Sequence, residues 1–247
     1  MGAITRKSSA ANGNLRITGS STVGGGHFDK VKVVGEAMVE GDLTCTSLSC
    51  IGTMEMAGRL QGGRLGIVGT CAITGSVQAE SLKNSGTVTI SEDAVVHKLT
   101  GSGLLEVKGQ LTAKEVNVKG HISAAGDFEA DRLRLRGMFD VGGLLNAGTL
   151  DIKLYQTCKA TEIGGERIEI RKASLLHPFS LFFRPLASAK LTVGIIEGDD
   201  IYVEHTHADV IRGTKVHIGP GCKIGVVEYK EELTVNKDAD VANKRQV

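Results

Sequence analysis

The sequence predicts an all-β fold, a single-stranded parallel β-helix (a solenoid) with three short strands in each 17-residue coil. Three observations predict it. Glycine recurs at Gly35, Gly52, Gly69, Gly86, Gly103, Gly120 and Gly137, with a second row at Gly41, Gly58, Gly75, Gly109, Gly126 and Gly143. Apolar residues keep the same step and come in pairs two apart. The 247 residues include 33 Gly, 3 Pro and no Trp, with 4% aromatics, so the core must be filled by Val, Ile, Leu and Ala between glycine corners.

The first strand of a coil is marked by two columns. One reads Ala37, Met54, Cys71, Val88, Leu105, Ile122, Phe139, and the other Val39, Met56, Ile73, Ile90, Val107, Ala124, Val141. The second strand is marked by Leu43, Leu60, Val77, Ala94, Leu111, Phe128, Leu145 and by a column of mostly small residues from Cys45 to Ala147. The third carries Leu48, Leu65, Leu82, Leu99, Val116, Leu133, Leu150, and then Cys50, Ile67, Asn84, Gly101, Val118, Leu135, Ile152. Only Gly62, Asn84 and Gly101 break the apolar rule in these six columns. A spacing of two places both members of a pair on one face of a strand. An amphipathic helix would need pairs three or four apart. Stacked coils then pair each strand with its equivalent one coil on, about 4.8 Å away. Right-handed winding is expected from the general preference of parallel crossovers.

The columns divide the chain. Residues 1–27 read as a flexible Gly/Ser-rich tail and 28–170 as coils, with a slip of about one residue near Lys159 to Gly165. An apolar insert follows at 171–190, holding Pro178, Pro185 and three of the six Phe. Coils resume over 191–241, where Ile201, Ile218, Val235 and Val193, Val210, Val227 restore the 17-residue step. Residues 242–247 read as a short charged tail.

A net charge of +1 offers no electrostatic case for nucleic acid. Neither a signal-peptide-like apolar run nor an 18-residue apolar stretch occurs, and Arg6 breaks the myristoylation pattern. Cys45, Cys50, Cys71, Cys158 and Cys222 form no C-x-x-C, which points to a reducing compartment and a cytoplasmic location. No phosphate-loop motif is present, so nucleotide-driven assembly is not expected.

The Gly/Ser-rich start, the segment Phe28-Asp-Lys-Val-Lys-Val33 and the glycine-anchored coils resemble the bactofilins. Gly142-Gly-Leu-Leu-Asn-Ala-Gly148, Ile196-Glu-Gly-Asp-Asp-Ile-Tyr202 and Ile218-Gly-Pro-Gly-Cys-Lys-Ile-Gly225 look like the longer Gram-positive members. The resemblance covers about residues 28–241. It implies a right-handed β-helix that polymerises without nucleotide into filaments and acts as a bacterial cytoskeletal scaffold for envelope or motility machinery. The implied partners are the chain itself, a paralogous bactofilin, and the inner face of the cell membrane as a peripheral contact. The 171–190 insert departs from the family's uninterrupted core.

Sites follow from this reading. A solenoid without a polar cap exposes the cut ends of its ladders. The polymerisation interface is therefore expected at Phe28, Val31 and Val33 on one end and Leu233, Val235 and Val241 on the other. Leu181, Phe182 and Phe183 in the insert are candidates for membrane or partner contact, against the plainer reading of a flap packed on the coils. The alternative is an enzyme resembling left-handed β-helix acyltransferases or carbonic anhydrases. Its candidate metal ligands would be His205 and His207, with His217 nearby, although such enzymes use 18-residue coils. A polysaccharide lyase or hydrolase would need converging carboxylates, for which Asp199 and Asp200 are the one adjacent Asp pair. The expectation is no catalytic residue, no metal and no cofactor.

Overall fold

A computed structural model describes residues 13–174 and 186–247. Every element among these residues is a β-strand, and neighbouring strands pair in parallel. The chain forms two compact units, 1–115 and 116–247.

In the first unit, β1 (Leu15–Ala57), β2 (Leu60–Ile73), β3 (Val77–Asn84), β4 (Thr87–Ile90), β5 (Ala94–Gly101) and β6 (Leu104–Val107) stack in the expected register. Leu43 lies on Leu60, Leu60 on Val77 and Val77 on Ala94, and likewise Cys50 on Ile67, Ile67 on Asn84 and Asn84 on Gly101. Pairing continues round the corners, so β1 alone runs for 43 residues. The strand β7 (Leu111–Ala124) carries the chain from one unit into the next. The glycine row has a steric cause: a Cβ on Gly52 would collide with the carbonyl oxygen of Gly35, and Gly52 holds φ +124°. Asn84, the polar exception in its column, is 3% exposed and fully engaged. Its Nδ2 donates to the Leu104 carbonyl at 2.7 Å, and its Oδ1 accepts from the Gly86 N–H at 2.9 Å.

The second unit holds β8 (Phe128–Leu154), β9 (Cys158–Lys172), β10 (Leu191–Val203), β11 (Thr206–Ile218), β12 (Lys223–Val235) and β13 (Asp240–Gln246). Phe128 and Phe139 are fully buried there among aliphatic rungs. The slip expected near Lys159 is a bulge, in which Val141 to Leu144 spans one residue more than its partners Ala160 to Glu162.

Four expectations are corrected, three of them boundaries. Strand begins at Leu15, not after residue 27: Asp29 N–H donates to Gly13 O at 3.0 Å, and Gly35 stacks on Gly19. That extra coil has 16 residues and is rich in Gly, Ser and Thr, so its composition reads as a linker. At the other end, strand continues through Gln246 because Ala242 and the polar residues 243–246 still satisfy their backbone on β12. The insert is narrower than 171–190, since Arg171 and Lys172 belong to β9. It also leaves the stack intact: β10 pairs directly with β9, Leu191 on Cys158 through Val203 on Ile170.

The fourth correction concerns register. Ile201 stacks on Val216 and Val193 on Ala208, a step of 15 and not 17. Val210 is half-buried and pairs with Ile195 and Val226, while Ile211, 0% exposed, takes the inward slot. Of the pairs expected from the sequence, only Ile218 on Val235 keeps the 17-residue step. The shortening has two sources: Val193 to Ile196 spans one residue fewer than Val141 to Leu145, and the corner between β10 and β11 has only Glu204 and His205. His205 turns it at φ 47°, the one non-glycine residue with positive φ among those described.

Candidate assembly surface and the histidine corner

The inward columns of the second unit can be followed to their last rung. Leu150, Ile168, Ile201 and Val216 are 0–2% exposed, and Leu233, which completes that column, is half-buried. The column Ile152, Ile170, Val203, Ile218 is 0% exposed throughout and ends on half-buried Val235. A third column ends on Val241, also half-buried, above Ile224 at 2%. Leu233, Val235 and Val241 thus lie together at the end of the second unit's ladders, each covered on one side by the rung beneath.

The opposite expectation fails for two of its three residues. Val31 and Val33 are 2% and 0% exposed, covered now that a coil precedes them, so they form no end surface. Phe28 is half-buried. Among the described residues, the first large apolar side chains of β1 are Leu15, Ile17 and Val23. Leu181, Phe182 and Phe183 lie outside the described residues.

The histidines do not converge. His205 sits in the tight corner itself and His207 lies in β11, while His217 pairs in register with Tyr202, its ring stacked at 4.8 Å between centroids. No group of three His, Cys, Asp or Glu side chains among the described residues could hold a metal. The corner is organised by Glu204 instead, whose side chain is 16% exposed. It accepts from Tyr202 Oη at 2.8 Å, from the Lys172 N–H at 3.0 Å and from Arg171 Nη1 at 3.4 Å. Arg171 also bonds Glu169 at 2.6 Å and lies 3.9 Å over the Tyr202 ring. Lys172 Nζ reaches Ala187 O at 2.7 Å, so both ends of the insert are anchored at one place. Burial, then Lys172, hold His205 below the ordinary imidazole value; burial, then Lys190 and Lys223, do the same for His207.

Asp199 and Asp200 are both exposed, and Asp200 pairs only loosely with Arg167, at 4.0 Å. Asp199 borders a shallow trough with Glu197 and Arg212, but that arginine is bonded to Glu197 and Glu228. All five cysteines are free and buried. Burial pushes the thiols of Cys45 and Cys222 up to about 11 and those of Cys71 and Cys158 up to about 12, so they behave as small apolar residues.

Two features escaped the sequence reading. Asp42, Asp93 and Asp127 each use Oδ1 to accept, at 2.8 Å, the backbone N–H of the residue 17 positions on: Arg59, Gln110 and Leu144. An aspartate beside the second glycine row was the available signal. The other is an ion-pair ladder, Glu197–Arg212–Glu228–Arg245, at 3.2, 2.8 and 3.2 Å. It is visible only once the shortened step is known.

The chain is similar to two proteins of Bacillus subtilis (strain 168). It is 36% identical over 106 residues to the uncharacterized protein YhbF, a match spanning 42% of each chain. It is 39% identical over 102 residues to the uncharacterized protein YhbE, spanning 40% of this chain and 41% of that one. The chain thus covers less than half the length of either relative. No family model and no solved structure matches.

Proposed function

We propose that this chain is a structural protein, a nucleotide-independent scaffold that assembles end to end by stacking coil on coil. The observation that supports it is the rung Leu233, Val235 and Val241, only half-buried where every rung beneath is fully buried. Such a rung is a template for another coil, which would cover the apolar ladder and pair the open strand edges. The resemblance to bactofilins supports a filament in the bacterial cytoplasm, touching the inner face of the membrane peripherally and placing envelope or motility machinery. A paralogous solenoid could supply the added coil as well as a second copy.

Negative-stain microscopy and sedimentation of the purified chain, without nucleotide, test this. The wild type is expected to form filaments that pellet. Leu233→Asp with Val235→Asp, still β-rich by circular dichroism, is expected to stay in the supernatant. Discrete wild-type particles at every concentration would overturn the proposal, and a trimer that retains zinc would favour the enzyme.

A further inference from the structure

The last strand carries one residue that contradicts its column. The inward slot occupied by Leu145, Ile163, Ile196, Ile211 and Val227, all 0–1% exposed, is filled in β13 by Lys244. Val227 and Lys244 are in register, so the lysine stands directly over a fully buried valine. Its four-carbon stem can lie on the valine while its ammonium reaches water. Six of the seven residues of β13 are exposed, and Val241 is the exception. β13 is nonetheless well held. Arg245 bonds Glu228 at 3.2 Å, Gln246 Nε2 bonds Lys230 O at 3.0 Å, and the N–H groups of Asp240 and Val247 bond Cys222 O and Tyr229 O.

We infer that Lys244 is a brake on self-assembly, a charge in a core column that penalises the next coil at one of the three faces. This rests on the assembly reading above and specifies how that surface is regulated. A coil laid on β13 would take the ammonium from water into an aliphatic slot, where an unpaired charge is strongly disfavoured. The occupant is a second copy, and the first described residues of its β1 bring no compensating group. Leu15, Ile17, Val23 and Phe28 have no carboxylate, and the first acidic residue of β1, Asp29, is exposed. An inward-pointing lysine on an edge strand is a known physical means of limiting edge-to-edge growth. Here it sits beside the apolar rung Leu233, Val235 and Val241, so growth is permitted but held back.

The test is the critical concentration for sedimentation of the full chain as wild type, Lys244→Val and Lys244→Arg. Lys244→Val is expected to lower it at least tenfold, and Lys244→Arg, which keeps the charge, to leave it within twofold. Thermal unfolding of dilute, unassembled protein separates this from simple stabilisation of β13: a changed critical concentration with an unchanged midpoint supports the brake. Wild-type assembly with no gain in Lys244→Val overturns the brake alone. If neither protein assembles, both readings fail. If only Lys244→Val assembles, the brake stands and spontaneous wild-type assembly does not.

Discussion

Replacing Ile211 and Val210 separately by alanine tests the shortened coil, because the two candidate registers assign these neighbours opposite roles. Ile211 is 0% exposed and stands between Ile196 and Val227, each also 0% exposed. Removing a buried aliphatic side chain to alanine costs roughly 2–5 kcal/mol, most where the site cannot collapse. Backbone pairing on both sides fixes the spacing here, so Ile211→Ala should cost about 4 kcal/mol. Val210 is half-buried on the outer side, and Val210→Ala should cost at most about 1 kcal/mol. Urea unfolding followed by far-ultraviolet circular dichroism, with a shared slope, gives both values. If Val193, Val210 and Val227 shared an inward column, the order would reverse. A Val210→Ala cost equal to or above that of Ile211→Ala would refute the 15-residue step.

Gly69→Ala should destabilise by at least about 2 kcal/mol, since φ +124° and the Gly52 carbonyl both reject a Cβ; denaturation would register it. Glu204→Ala should cost about 2–3 kcal/mol by leaving Tyr202 Oη, the Lys172 N–H and Arg171 without their shared acceptor, and the midpoint of urea unfolding reports it. Stability should fall on acidification. His205 and His207 have folded values below the ordinary 6.5, so the unfolded chain binds protons first; their contribution is complete above about pH 6.5 and is lost as pH drops through the folded values. His205→Asn, which tolerates the left-handed backbone, together with His207→Gln should flatten that slope in pH-dependent melts. The five thiols should resist a thiol reagent at neutral pH until the protein unfolds, and rapid labelling of native protein would contradict their burial.

Much of the fold was legible because, past its 16-residue first coil, the first unit repeats its inward residues at an unbroken step, from Leu43 to Leu60 to Val77. The same logic misled where coil length varies. Val193, Val210 and Val227 are 17 apart by coincidence, and an apolar residue two positions from an inward one need not itself face inward, since Ile195, Val210 and Val226 form their own half-buried column beside Val193, Ala208 and Ile224. Nothing in the residues Glu204-His205 announces a two-residue corner; the left-handed backbone of His205 is imposed by the strands it joins. The first coil was missed for a different reason. Its backbone pairing does not depend on side chains, and Gly24, Gly25 and Gly26 look the same in a corner as in a linker. At the candidate surface, Leu233, Val235 and Val241 were readable as the end of a pattern, whereas Lys244 could be placed only by knowing which slot β13 puts over Val227.

The coils of the second unit consume very unequal amounts of chain. The step from Cys158 to Leu191 takes 33 residues and that from Leu191 to Thr206 takes 15. Each nevertheless advances by one strand spacing, about 4.8 Å. Distance along this unit is therefore a ruler graduated in turns, and residues added at a corner do not move its marks. Lengthening the polypeptide at a corner decorates such a ruler sideways. Only a whole added turn makes it longer, which lets side-facing features diversify while the spacing of whatever is hung along the unit stays constant.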